Sequence, residues 1–258
     1  MGAKRRAETE YAEGLVASLF PPTLVVRIDT THAEPARLGA HGARLARWAA
    51  LGVRVPTGLV ITVEGFFETV DALGLRAAYD TLEEALLRGE TPSVYAGRVA
   101  RVLSTGLLPR MLLDPLEDAL VDLGLDVGVS LSVEASLPFE GPTDLVPGAV
   151  VEHAIDLERA IRGLYAGAFR AEVITLAATR GLPRSPPMAV VVRRHLAPTR
   201  ATPSTGPFEG APAELATFAE ALEADLGAPC VVHWALADGR VHVVRAEPLG
   251  SDLSAKAR

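Results

Sequence analysis

The chain has 258 residues, 49% hydrophobic and 22% charged, enough for a sizeable core as one large domain or two small lobes. Its net charge of -7 argues against a general nucleic-acid binder or a membrane-surface binder. A single cysteine, Cys230, excludes an intramolecular disulfide framework, and beside Val231 and Val232 it reads as a buried, inert thiol.

No apolar run approaches the roughly 20 residues of a membrane helix, so no membrane insertion is expected. The basic cluster Lys4-Arg5-Arg6 is followed by no apolar signal-peptide core, and the expected location is cytoplasmic. Residues 7–20 read as a helix stopped by Pro21-Pro22. The β-branched run Thr23 to Ile28 predicts a strand. Leu38, Leu45, Trp48 and Ala49 recur at helical spacing, which predicts a helix over 34–51 closed by Gly52. Leu59 to Val63 is a second strand. A helical block over 64–124 divides into 64–73, 77–88, 92–104 and 109–123, punctuated by Gly89, Pro92, Gly106 and Gly124.

Val127 to Val133 alternates with period two and predicts a strand. A Pro/Gly-rich loop, Pro138 to Pro147, leads to a strand over Ala149–Ala154. Asp156 is the expected N-cap of one long helix, 157–180, closed by Gly181. Gly181 to Pro187 reads as a lobe junction and 188–196 as a strand. An extended loop over 197–212, a helix over 213–226 ending at Gly227, and a hairpin of Cys230–Ala235 with Arg240–Ala246 follow. Residues 251–258 form a tail. These elements alone predict an α+β or α/β fold.

Four landmarks then occur in order. The first is Gly39-Ala-His-Gly-Ala, a short helix, and Gly52-Val-Arg-Val-Pro-Thr-Gly58. The second is Val127 to Ser132 with the loop Pro138–Gly148 and helix 157–180. The third is Met188-Ala-Val-Val-Val-Arg193. The fourth is Gly227-Ala-Pro-Cys-Val-Val-His-Trp234 with Gly239 to Pro248. Together they resemble the nucleotide-binding domain of the phosphoenolpyruvate synthase and pyruvate, phosphate dikinase family. That resemblance implies an ATP-grasp-like, two-lobed α+β domain. The first lobe would span 1–187 with a helical insertion at about 64–124, and a reduced second lobe 188–250.

Phosphoryl transfer from ATP depends on positioning and on charge neutralisation by cations and oxygen-bound Mg²⁺. In the family a Lys and a strand Arg supply cations, and a Glu and a Gln bind the metal. By the resemblance, these positions are His41, Ser130, His233 and Arg245 here. Val231 and Glu247 replace an Asp and an Arg of the same motifs. A three-residue turn Asp238-Gly239-Arg240 would place His233 opposite Arg245, where two metal ligands would converge. Imidazole and guanidinium there disfavour Mg²⁺, which wants hard oxygen.

His233, Arg245 and Arg193 read either as a basic cluster that binds a phosphoanion without metal or as an ion-paired strand face. His41 and His153 read first as structural; His32 and His195 carry no functional claim; Trp48 and Trp234 fit the core. There is no P-loop, dinucleotide fingerprint, zinc spacing or nucleophile elbow.

The leading expectation is a catalytically degenerate dikinase-type domain, a pseudoenzyme acting on a protein partner as a binding, regulatory or scaffold module. No cofactor is assigned, and ATP with Mg²⁺ enters only if the site is rearranged. The alternatives are an ATP-dependent phosphotransferase subunit using Glu134, Glu140, Asp144 or Glu247, and a phosphoanion or small-ligand sensor without nucleotide.

Overall fold

The computed structural model describes residues 23–89, 93–140, 145–182, 186–205 and 212–249. The expected helix 7–20, the tail 251–258, Asp144 and parts of the loops at 138–147, 181–187 and 197–212 lie outside them. Among the described residues the fold is mixed α/β, with two antiparallel sheets and eight helices.

In chain order the elements are β1 (Val25–Arg27), α1 (Pro35–Ala50) and β2 (Gly58–Ile61). The helical block is α2 (Val63–Ala72), α3 (Arg76–Leu87), α4 (Ser93–Thr105) and α5 (Arg110–Asp122). Then come β3 (Leu131–Ser136), β4 (Ala149–Val151), α6 (Ala154–Gly167), α7 (Ala171–Thr179), β5 (Ala189–Arg194) and β6 (Arg200–Pro203). The chain continues through α8 (Glu214–Leu226), β7 (Cys230–Ala237) and β8 (Arg240–Pro248).

The five-stranded sheet runs β1-β2-β5-β3-β4, and a second sheet runs β6-β7-β8. The predicted boundary at 187/188 falls just before β5, yet β5 lies between β2 and β3 in the first sheet. The change of sheet comes after Arg194. β5 reads as an unbroken apolar run because both its faces are covered. Val190 and Val192 join Leu59 and Ile61 in a core capped by α2–α7. Val191 joins Val60 in a second core with α1, α8 and the β7–β8 hairpin. Trp48, Trp234 and Cys230 are buried in that second core, as the sequence predicts. Asp225 on α8 fastens it to α1, accepting from Arg47 Nε at 2.8 Å and Trp48 Nε1 at 2.9 Å.

The four helices of the block fall within a residue or so of their expected limits. Several expectations are corrected, among them the strand over Ala149–Ala154, which ends at Val151. The long helix 157–180 is two helices. At Ala168–Arg170 the backbone closes three-residue turns, with Phe169 N donating to Ala166 O and Arg170 N to Gly167 O. The break turns Phe169 inward, where it stacks on Phe66. Asp156 is not the N-cap; His153 holds that position. Asp156 lies in the first turn, where a negative charge meets the positive end of the helix dipole. The strand expected from Val127 begins at Leu131, because Gly128 takes φ 68° and Val127 is exposed. The loop after residue 197 contains β6, which pairs with β7.

α1 is broken at Gly39, whose φ is 67° and ψ 173°. Ser136 at the end of β3 supports the break. Its Oγ donates to Leu38 O at 2.7 Å and accepts from Gly42 N at 2.9 Å, while Ala40 N donates to Leu137 O at 2.7 Å. A Cβ on Gly39 would meet Ser136 O at 2.1 Å. Gly39→Ala is expected to lower the unfolding free energy by about 2 kcal/mol or more in urea titration, from left-handed strain and this clash.

Candidate functional site

The break at Gly39 sets the next turn of α1 against β3 and brings His41 to Glu134. On β3, side chains alternate, so Ser132, Glu134 and Ser136 share a face. On β5, Arg193 pairs in register with Ser132 on one side and Gly58 on the other. Gly58 has a local reason: a Cβ there would stand 2.5 Å from Arg193 Cβ.

Glu134 is the centre of the cluster. His41 Nε2 donates to its Oε2 at 2.8 Å, and Arg193 Nη2 donates to Oε1 at 2.9 Å and Oε2 at 3.2 Å. Arg193 Nη1 donates to Val244 O of β8 at 2.9 Å. Burial alone would raise the Glu134 carboxyl. The His41 hydrogen bond and the Arg193 charge outweigh it and hold the group at about 2, below its ordinary 4.5.

The hairpin reaches the expected pairing by another route. Its turn is the two-residue Asp238-Gly239, with φ 52° and 71°, so Ala237 pairs with Arg240 rather than Val241. That frame alone would leave His233 out of step with Arg245. A β-bulge at Val244 inserts one residue between the pairs Trp234–Val243 and His233–Arg245 and restores the alignment. The displaced residue is the one whose carbonyl Arg193 binds.

Around this centre the other glutamates are also engaged. Arg245 forms an ion pair with Glu247, and Arg44 with Glu140. Burial lowers the Arg245 pKa; nearby Glu134 opposes this and Arg44 adds to it. Burial and then the Arg245 charge lower His233. Of the five predicted site residues, His41 and Arg193 meet on Glu134, while Arg245 and His233 face each other beside them. Ser130 stands apart at the entry to β3, its carbonyl accepting from His195 N at 2.7 Å. His195 also places Nδ1 2.8 Å from Ser132 Oγ.

The hub itself, Glu134, entered the sequence reading only as a carboxylate for a rebuilt metal site, and Arg44 was missed. The available signal was parity: Glu134 falls on the face of Ser132. The donor set does not suit Mg²⁺. Glu134, Glu140 and Glu247 are each held by an arginine, and among the described residues no three His, Cys, Asp or Glu side chains converge to hold a metal. No protein-family model matches the chain, and no curated protein sequence matches it. Among the described residues no helix is long and apolar enough to cross a membrane.

Two outcomes follow for Glu134. Its folded pKa lies below the unfolded value, so its contribution is full above about pH 4.5 and is lost as pH falls from there through about 2. Urea midpoints measured across that window are expected to fall in the parent chain and to fall less in Glu134→Gln. At neutral pH, Glu134→Gln is expected to cost about 3 kcal/mol, because it leaves the buried Arg193 guanidinium without its counter-charge.

Proposed function

We propose that this chain is a catalytically degenerate, ATP-grasp-like domain of the dikinase nucleotide-binding type, which acts by binding as a regulatory or scaffold module. The observation that carries this reading is the state of the carboxylates. Glu134, Glu140 and Glu247, three of the four acids that could rebuild a metal site, are each paired with an arginine. An acid committed to a guanidinium offers little to Mg²⁺, whose preference is for unshared hard oxygen.

The order of landmarks supports the dikinase-type ancestry. The helical block on one face of a sheet, followed by a small C-terminal sheet, is consistent with a two-lobed plan whose second lobe is reduced. In this reading His41, Arg193, His233 and Arg245 are what remains of a phosphate-facing surface. They now serve to fix two sheets together and to present a binding face to a protein partner.

The test separates binding from chemistry. Thermal unfolding is followed with ATP, ADP, inorganic phosphate and Mg²⁺ added separately, and phosphate release and partner-histidine phosphorylation are assayed in parallel. The expected outcome is no Mg²⁺-dependent hydrolysis or phosphotransfer. Any nucleotide stabilisation, about 2.7 kcal/mol at 100 times Kd by mass action, is expected to be the same with and without Mg²⁺. No shift with any ligand narrows the reading to a protein-binding scaffold. ATP hydrolysis that needs Mg²⁺ and is abolished by His41→Ala or Arg245→Ala overturns it in favour of a phosphotransferase.

A further inference from the structure

The two edges of the larger sheet are not alike. β1 has α5 against it, whereas β4 packs against β3 and α6, and among the described residues no strand lies beyond it. β4 is also open to solvent: Ala149 and Val150 are exposed, and only Val151 is buried. A groove of about 390 Å³ lies between this strand and the first turns of α6. None of His41, Glu134, Arg193 or Arg245 lines it.

The hydrogen bonds fix which backbone groups of β4 are free. Along a strand, successive residues turn their N–H and C=O to opposite sides. On β5, Arg194 N donates to Thr57 O beside β2, and His195 N donates to Ser130 O beside β3. The same phase carries through the ladder. Ser132 and Glu134 turn toward β5, while Leu131 and Val133 turn toward β4, opposite Val151 and Ala149. Val150 lies between those two, so its N–H and C=O point out from the sheet. Its side chain is 55% exposed, so nothing of the chain screens that edge.

The groove beside the edge is small-walled and acidic. Ala149 and Ala160 leave room for a side chain between strand and helix. Asp156 is bound by Arg159 at 2.7 Å. Glu152, at the end of β4, is exposed, and its side chain makes no ion pair or hydrogen bond among the described residues. One groove thus holds a free backbone donor and acceptor, an apolar seat and an uncommitted carboxylate. An unpaired strand edge is a template for a further strand. The position of α6 decides which kind. Two copies paired through β4 would bring both α6 helices to one face of the same seam, whereas a single extended segment meets no such obstacle.

We propose that the free edge of β4 takes up an extended segment of a protein partner as an added strand. An apolar side chain of the segment sits over Ala149 and Ala160, and a lysine or arginine meets Glu152. The inference rests on the binding-module reading only in expecting a protein partner. Phosphotransfer in the assay above overturns that reading and leaves the β4 titration standing, and failure of the titration does the reverse.

The full chain is titrated with the capped pentapeptide Lys-Val-Lys-Val-Lys, and the Val150 and Glu152 amide shifts are followed by NMR. One control is Glu-Val-Glu-Val-Glu; a second is the basic peptide with N-methylated valines, which cannot complete the ladder. The expected result is a saturable shift of the Val150 amide with the basic peptide, at least about tenfold tighter than with either control. Val150→Pro removes the outward N–H and spares the ladder to β3, as proline is tolerated on an edge. It is expected to weaken the basic peptide about tenfold or more with the unfolding midpoint little changed. Glu152→Gln is expected to narrow the preference for the basic over the acidic peptide. No saturable Val150 shift at millimolar basic peptide overturns the proposal. So does equal affinity for either control. Self-association of the parent that Val150→Pro abolishes, without a peptide shift, overturns it in favour of a second copy.

Discussion

The guanidinium of Arg193 is the group around which this structure closes. It stands on the central strand of the larger sheet, 5% exposed, and an arginine cannot shed its charge when buried. It must therefore be given a carboxylate and hydrogen-bond acceptors. Glu134 on the neighbouring strand supplies the first and the Val244 carbonyl of the smaller sheet the second. His41 completes Glu134 from α1. One buried charge thus specifies how four elements meet, and an arrangement that misplaces any of them leaves it short of a partner. Gly58 belongs to the same requirement, since only a residue without a side chain allows the β2 backbone to pair so closely with Arg193.

Much of this architecture was legible from residue order. The helical block could be divided because Gly89, Gly106 and Gly124 interrupt a clear apolar period. The β5 run Val190–Val192 announced a strand, though the cover on both its faces shows only in the structure. What was not legible shares one cause: it depends on contacts distant in sequence. The break after Gly167 lets Phe169 meet Phe66, about a hundred residues upstream, and Gly167 alone does not announce it, since Gly163 lies within the same helix without ending it. The start of β3 depends on where β5 and β4 offer partners, while period-two alternation continued past that point. Glu134 and Arg193 lie 59 residues apart, and nothing local to either says that they share one ion pair.

The cluster around Glu134 also illustrates how a polar surface between two layers can turn inward. Arg44 with Glu140, Arg193 with Glu134 and Arg245 with Glu247 form three acid–base pairs within one neighbourhood. The most buried of them, Arg193 with Glu134, adds little to stability beyond an apolar core of the same volume, yet losing one partner is costly. Their effect is on specificity: they fix which faces meet. On the proposed reading, side chains that once met an outside ligand have become each other's ligands, and rigidity has taken the place of turnover.

The bulge at Val244 has a consequence for how the hairpin can vary. The tip is framed by Asp238-Gly239 and covers the four pairs from Ala237–Arg240 to Trp234–Val243. The base is framed separately, because the Val244 carbonyl is anchored to Arg193 outside the hairpin. The two frames are joined by a single slack residue, as in a ratchet with one free tooth. Nearer the tip, Val241 O and Val243 N are held by Arg54, so a change of length is confined to the turn itself and His233 still faces Arg245. The two-residue turn is therefore the part of this hairpin that can change in length while the junction of the two sheets stays in step.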